Sequence, residues 1–70
     1  MKLIVNGDPR EIAGETLDIH ATLSALQVAD PLYVTVELNG EIVDRAAFGS
    51  TRVKNGDALE FLYFMGGGAR

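Results

Sequence analysis

The residues best placed to do chemistry in this sequence stand at its end, where Tyr63-Phe64-Met65 opens into Gly66-Gly67-Gly68 and then Ala69-Arg70. Glycine adds no packing and loses more backbone entropy on ordering than any other residue, so a run of it after an apolar segment is either frayed or kept thin for a purpose. A terminal glycine presents a carboxylate on a chain with no side chains. Such a chain can be drawn extended through a narrow channel into another enzyme's active site, and at roughly 3.3 to 3.6 Å per residue three glycines reach about 10 Å beyond the last strand. A free carboxylate is unreactive toward sulfide or amines, but adenylation turns its oxygen into a good leaving group. The chemistry this tail suits is that of an acyl donor which another protein activates.

The other candidate groups carry less. His20 is the single histidine, the chain has no cysteine, and no acid-base partner or second metal ligand lies near it in sequence, so it reads as a solvated or structurally satisfied side chain. The triple glycine does not cradle phosphate, because a phosphate loop follows a strand, opens a helix and continues into further fixed residues, and here the chain ends. Glu41 with Asp44, and Asp57 with Glu60, are carboxylate pairs at hairpin edges, where acids are usually solvated. A small open sheet has little room for a deep desolvated pocket. No catalytic residue and no metal site is expected, and the chain is read as a non-enzyme.

Composition narrows the class. Seventy residues make one small domain, and 47% hydrophobic against 23% charged residues is enough for a single modest core. The formal net charge of −4 is unfavourable for a phosphate-neutralising surface and argues against nucleic acid. It suits docking on a basic protein surface instead. The opening Met1-Lys2-Leu3-Ile4-Val5-Asn6 holds too short an apolar run for a signal peptide, and no segment approaches the roughly 20 apolar residues of a membrane span. A soluble, cytoplasmic protein is expected, and the absence of cysteine suits a reducing compartment.

The elements that must carry the tail read as follows. Asn6-Gly7-Asp8-Pro9 joins strands expected at Lys2 to Val5 and Arg10 to Ala13, with Gly14-Glu15 ending the second. Ile19, Leu23 and Leu26 stand at helical spacing, while Asp18, Thr22 and Gln27 point elsewhere. Thr16 or Asp18 caps this helix and Pro31 stops it at Asp30. Val34 to Leu38 alternates into a second hairpin through Asn39-Gly40 and Glu41 to Val43. Ala46 to Val53 reads as a loop anchored by Phe48 and Val53, and Asn55-Gly56-Asp57 turns into a last strand, Ala58 to Phe64.

The order β-β-α-β-β-β gives an α+β domain over 1–65 with one main helix on one face of a four- to five-stranded mixed sheet, and a flexible tail over 66–70. Leu3, Val5, Val34, Val36, Leu38, Leu59, Phe61 and Tyr63 form the inward set. Ile4, Thr35, Glu37, Glu60, Leu62 and Phe64 face out. With the first and last strands as neighbours, Ile4, Leu62 and Phe64 are expected to form a contiguous apolar patch beside the tail, joined by Met65, and such a patch marks a partner-docking surface.

Taken together, Met1 to Gly7, Leu38 to Arg45, Val53 to Phe64 and the terminal glycines resemble, over essentially the whole chain, the ThiS group of sulfur carrier proteins in the ThiS/MoaD superfamily. The family's strand, arginine and aromatic match Val43, Arg45 and Phe48, and its Gly-Asp before the last strand matches Gly56 and Asp57. Its terminal Gly-Gly falls on Gly67 and Gly68. The related molybdopterin-synthase small subunits usually approach their glycines through a proline-rich segment, which Tyr63-Phe64-Met65 is not.

The resemblance implies a ubiquitin-like β-grasp fold and a C-terminal glycine, Gly68, that an E1-like adenylating enzyme (ThiF-like) activates with ATP and magnesium. No cofactor is bound by the carrier itself. A desulfurase or sulfide then supplies sulfur for a thiocarboxylate, which in the thiamine pathway goes to thiazole synthase. Gly66 and Gly67 supply flexibility, Ile4, Leu62, Phe64 and Met65 dock the partner, and Arg45 either pairs with a local acid or contacts that partner. Ala69-Arg70 departs from the pattern. Some relatives have such an extension removed by a metallopeptidase, and several of those feed cysteine, homocysteine or other sulfur products. A ubiquitin-like modifier and a non-covalent binding module are the rival readings.

Overall fold

The computed structural model describes residues 1–63; the expectations that fall on 64–70 lie outside the described residues. The first hairpin forms because Asn6 and Gly7 both adopt positive φ, 50° and 86°, as a two-residue turn of the type I′ kind requires. Strand β1, Lys2–Val5, pairs antiparallel with β2, Asp8–Glu11. The second strand therefore starts two residues earlier than the expected Arg10. With Val5 opposite Asp8 across the turn, no spare residue separates turn from ladder. Pro9 is tolerated there because β2 is an edge strand, where a missing N–H breaks no bond on its free side.

A short strand β3, Thr16–Asp18, leads into the helix α1, Ile19–Ala25. Of the two candidate caps it is Asp18 that serves, its Oδ1 accepting from the Ala21 amide at 2.7 Å. Ile19, Leu23 and Leu26 are buried as their spacing predicts, and Thr22, expected to point away, is buried beside them. Its hydroxyl donates to the Asp18 carbonyl at 2.8 Å, which removes the penalty of burying it. The helix ends well before Asp30-Pro31. Gln27 takes φ 56°, its amide bonds the Ser24 carbonyl, and the Val28 amide reaches back to the Leu23 carbonyl, both at 3.0 Å. This is a Schellman ending, which closes the last carbonyls before proline has a chance to act.

Strands β4, Thr35–Leu38, and β5, Glu41–Val43, form the second hairpin around Asn39 and Gly40, with φ 51° and 89°. A 3-10 turn, Arg45–Ala47, follows, then β6, Arg52–Lys54, and β7, Ala58–Leu62. The segment expected to be a loop with two anchors does bury Phe48 and Val53, but Val53 lies in β6, which pairs antiparallel with β3 in a separate two-stranded sheet. No turn joins β3 to β6, so no local signal announces the pair.

The main sheet has the order β2-β1-β7-β4-β5, with β1 and β7 parallel at its centre. This is the β-grasp arrangement: one helix covers one face of a mixed five-stranded sheet. The core joins Leu3, Val5, Val34, Val36 and Leu59 to Ile19, Leu23 and Leu26 of the helix, closed by Phe48 and Val53. Leu38 and Phe61 sit at its margin. Tyr63, expected within the inward set, lies past the end of β7 and is 43% exposed.

Each asparagine of the three Asn-Gly pairs also bonds a strand that is not its own. Asn6 Oδ1 accepts from the Phe61 amide at 2.8 Å, Asn39 Oδ1 from Ala58 at 2.9 Å, and Asn55 Oδ1 from Lys2 at 2.7 Å. Asp57 completes this set. Expected to be turn chemistry alone, it is 5% exposed, and its carboxylate accepts from the Lys54 amide at 2.9 Å and the Asn39 side-chain amide at 3.1 Å, with Lys54 Nζ at 3.4 Å. Burial pushes this carboxyl up, but the bonds from Lys54 and Asn39 and the Lys54 charge outweigh it and hold Asp57 below its ordinary value.

Two predictions follow from this architecture. Gln27→Gly relieves a side chain from the left-handed region and should raise the unfolding free energy by about 0.5 to 1 kcal/mol in urea titrations; a loss of stability would contradict the helix ending described. Because the folded Asp57 is the more acidic form, its contribution is present above the unfolded pKa near 4 and is lost as pH falls below that. The stability gap between the native protein and Asp57→Asn should therefore shrink as the pH falls below about 4, and a gap independent of pH would refute the assignment.

Candidate functional site

The candidate site is the C-terminal end of β7 together with the sheet face that no helix covers. Strand alternation places Ala58, Glu60 and Leu62 of β7 on that face, with Thr35 and Glu37 beside them on β4, Ile42 on β5 and Ile4 on β1. The outward assignment of Ile4, Thr35, Glu37, Glu60 and Leu62 thus holds. Their expected contiguity does not. Ile4 stands opposite Ala58, so Leu62 lies four positions further along β7, about 13 Å away at strand rise. Glu60 occupies the position between. Leu62 pairs with Thr35 at the end of the strand, whereas Ile4, 42% exposed, faces Pro9 near the sheet edge. Phe64 and Met65, the other members of the expected patch, lie outside the described residues, as do Gly66, Gly67 and Gly68.

The centre of the open face is acidic. Glu37 and Glu60 are direct cross-strand partners, an arrangement that repels and destabilises a sheet. Among the described residues the one ion pair is Lys54 with Asp57, so neither glutamate is neutralised there. Ile42, 66% exposed, stands next to Glu37. The register thus separates Ile4 from Leu62, which the sequence reading joins in one patch, and sets the acidic pair between them, with Ile42 as a further exposed apolar residue on the same face.

Arg45 pairs with no acid among the described residues. Its guanidinium donates to the Pro31 carbonyl at 2.9 Å and the Val34 carbonyl at 2.6 Å, and lies 4.9 Å over the Phe48 ring. It thereby braces the connection from α1 to β4 against a core aromatic. His20 meets the same ring edge-on, centroids 5.4 Å apart, which fits the structural reading of this histidine. An open groove runs between α1 and the Pro31-Leu32 stretch, with His20 and Arg45 on its walls. Among the described residues no group of acids and histidines is arranged to hold a metal ion, and no helix is long and apolar enough to cross a membrane.

Sequence reasoning did not single out Tyr63 as more than a core residue. Its hydroxyl donates to the Ala29 carbonyl, tying the residue after β7 to the segment after the helix. Nothing in the local pattern could have shown this, since the two residues are 34 positions apart.

The fold agrees with that of known proteins. The chain is 59% identical to the crystal structure of a thiamine biosynthesis protein (ThiS) from Geobacter metallireducens, with a TM-score of 0.89 over 96% of this chain and 99% of that one. A solution structure of a thiamine biosynthesis protein from the same organism matches all of this chain and 91% of that one, with a TM-score of 0.77. Among curated proteins, a thiazole synthase from Paramagnetospirillum magneticum is 39% identical over 69 residues, 99% of this chain, and one from Magnetococcus marinus is 38% identical over 97% of it. The chain spans only about a fifth of the length of these two relatives, 21% and 20%. The profile of the ThiS family matches residues 3–68, from the first strand through the third glycine. With that match covering nearly the whole sequence, on a β-grasp body like that of the Geobacter protein, the chain belongs to the ThiS family.

Proposed function

We propose that this protein is a sulfur carrier of thiamine biosynthesis, a substrate for other enzymes and not itself a catalyst. The observation that carries the reading is the 59% identity, over nearly the full length of both chains, to a structure described as a thiamine biosynthesis protein (ThiS). The reactive group is the carboxylate of Gly68. Its oxygen attacks the α-phosphorus of ATP on an E1-like, ThiF-like enzyme, with magnesium there, releasing pyrophosphate and leaving an acyl-adenylate. Sulfide then displaces AMP to give the thiocarboxylate directly; a desulfurase persulfide displaces AMP to give an acyl disulfide, which a thiol cleaves, leaving the thiocarboxylate and a disulfide between that thiol and the desulfurase sulfur.

The family match stops at Gly68, which supports reading Ala69-Arg70 as an extension that a peptidase removes before activation. Gly66 and Gly67, lacking side chains, let the terminus pass a channel too narrow for other residues. Thiazole synthase is the proposed acceptor, supported by the two relatives of that name, in which a segment like this chain is part of a longer protein. The folded body docks the activating enzyme through Leu62, with Phe64 and Met65 following it in sequence and Ile4 as a separate contact. Glu37 and Glu60 call for a basic surface opposite them.

Intact mass of the protein purified from its own cells, with sulfide available, should reveal a species ending at Gly68 and a companion heavier by the difference between sulfur and oxygen. Full-length chain alone, under conditions where thiamine must be made, would overturn the carrier reading. Mass added to other proteins in place of that swap would indicate a modifier. A folded Leu62→Asp, Phe64→Asp double variant should be adenylated about tenfold or more slowly at limiting enzyme, as for loss of a docking hot spot. A normal rate would remove these two residues from the docking surface.

A further inference from the structure

We propose that Tyr63 is the positioning residue for the C-terminal acyl chemistry: by holding its hydroxyl on the Ala29 carbonyl it sets where, and in which direction, residues 64–68 leave the folded body. The inference rests on the sulfur-carrier reading above.

The β7 ladder ends where Leu62 meets Thr35 on the open face, and alternation sends Tyr63 to the helix side. There it is 43% exposed, too far from the core for packing to lock the ring. Its one side-chain hydrogen bond among the described residues is the one to Ala29. A tyrosine so placed needs its hydroxyl only for that contact, since a phenylalanine would bury the same ring.

The residues on either side of the acceptor are held. Val28 is bonded back to Leu23 at 3.0 Å, Tyr33 bonds the Asp30 carbonyl at 2.9 Å, and Arg45 clamps the Pro31 and Val34 carbonyls from its seat over the buried Phe48. On the strand side, Asn6 secures the Phe61 amide at 2.8 Å. Tyr63 is therefore fixed between two anchored segments, immediately before the residues that must reach a partner's active site.

Gly68 stands five positions beyond Tyr63, about 17 Å of extended chain. Over that reach, each torsion left free at the root enlarges the volume the carboxylate explores and lowers its concentration at the activating centre. A fixed root confines that search to the glycines, which have to bend in any case. The bond acts after the body has docked, so its loss slows the first chemical step without weakening docking.

The test uses carrier from its own cells ending at Gly68, ATP, and a saturating amount of the adenylating enzyme from the same cells, following acyl-adenylate formation in a single turnover. Tyr63→Phe should lower that rate about fivefold with the half-saturating concentration unchanged, the urea midpoint falling by no more than the loss of one hydrogen bond produces. Partial unfolding would do the opposite, raising the half-saturating concentration at an unchanged limiting rate. Tyr63→Ala should match Tyr63→Phe. A Tyr63→Phe rate within about twofold of the native one, or a defect confined to Tyr63→Ala, would show that the hydroxyl bond does not position the tail. Absence of acyl-adenylate from the native protein would overturn the carrier reading itself, and the proposal with it.

Discussion

The parallel pairing of β1 with β7 at the centre of the sheet is the constraint to which the other elements conform. Parallel neighbours cannot be joined by a tight turn, so everything between them in sequence must cross over and return. The seam is bonded along its length: Lys2 to Asn55 and Gly56, Ile4 to Asp57, Asn6 to Leu59, and Phe61 to the Asn6 side chain. With that seam in place, β2 can only add to the outer edge of β1, and the β4-β5 hairpin to the other edge of β7. The helix then has one sheet face to cover. The same seam brings the beginning of the chain beside the strand that ends just before the glycines, so that the tail departs from the most heavily braced strand of the protein.

That bracing is largely polar, which is unusual for so small a core. A modest apolar interior holds a small domain only narrowly, and each polar group drawn inside must be satisfied. Among the described residues no buried side-chain nitrogen or oxygen lacks a partner. Asp57 illustrates why. A buried carboxylate without partners would be strongly destabilising, whereas here it is gripped from two turns, and the grip locks the β4-β5 hairpin to the start of β7. Turn residues whose backbone conformation is needed locally are thus used a second time, through their side chains, to set register between distant strands.

The two faces of the sheet serve different ends. On the helix side the apolar residues are consumed in stability, and even Arg45 is committed to bracing a connection. On the open side Glu37 faces Glu60, a placement unfavourable to the isolated domain. A fold tolerates such a pair most readily where a partner's cations complete it. On the proposed carrier reading, the open face is the docking side of the body and the helix-covered face its rigid back.

Legibility followed the distance over which each feature is encoded. Both hairpins, the Asp18 cap, the helical stripe, and the burial of Phe48 and Val53 were all readable, because each depends on residues a few positions apart or on composition. The end of the helix was misread, since Gln27 carries no glycine signal for the left-handed position it occupies. The pairing of β3 with β6, the separation of Ile4 from Leu62, the burial of Asp57 and the reach of Tyr63 to Ala29 were decided only by the tertiary structure. Each joins segments with no short connection between them, and a strand register shifted by two residues keeps every side chain on its face while changing all of its neighbours. Alternation in the sequence by itself determined which face each residue takes; only the assembled sheet, through its long-range hydrogen bonds, decided what stands beside it.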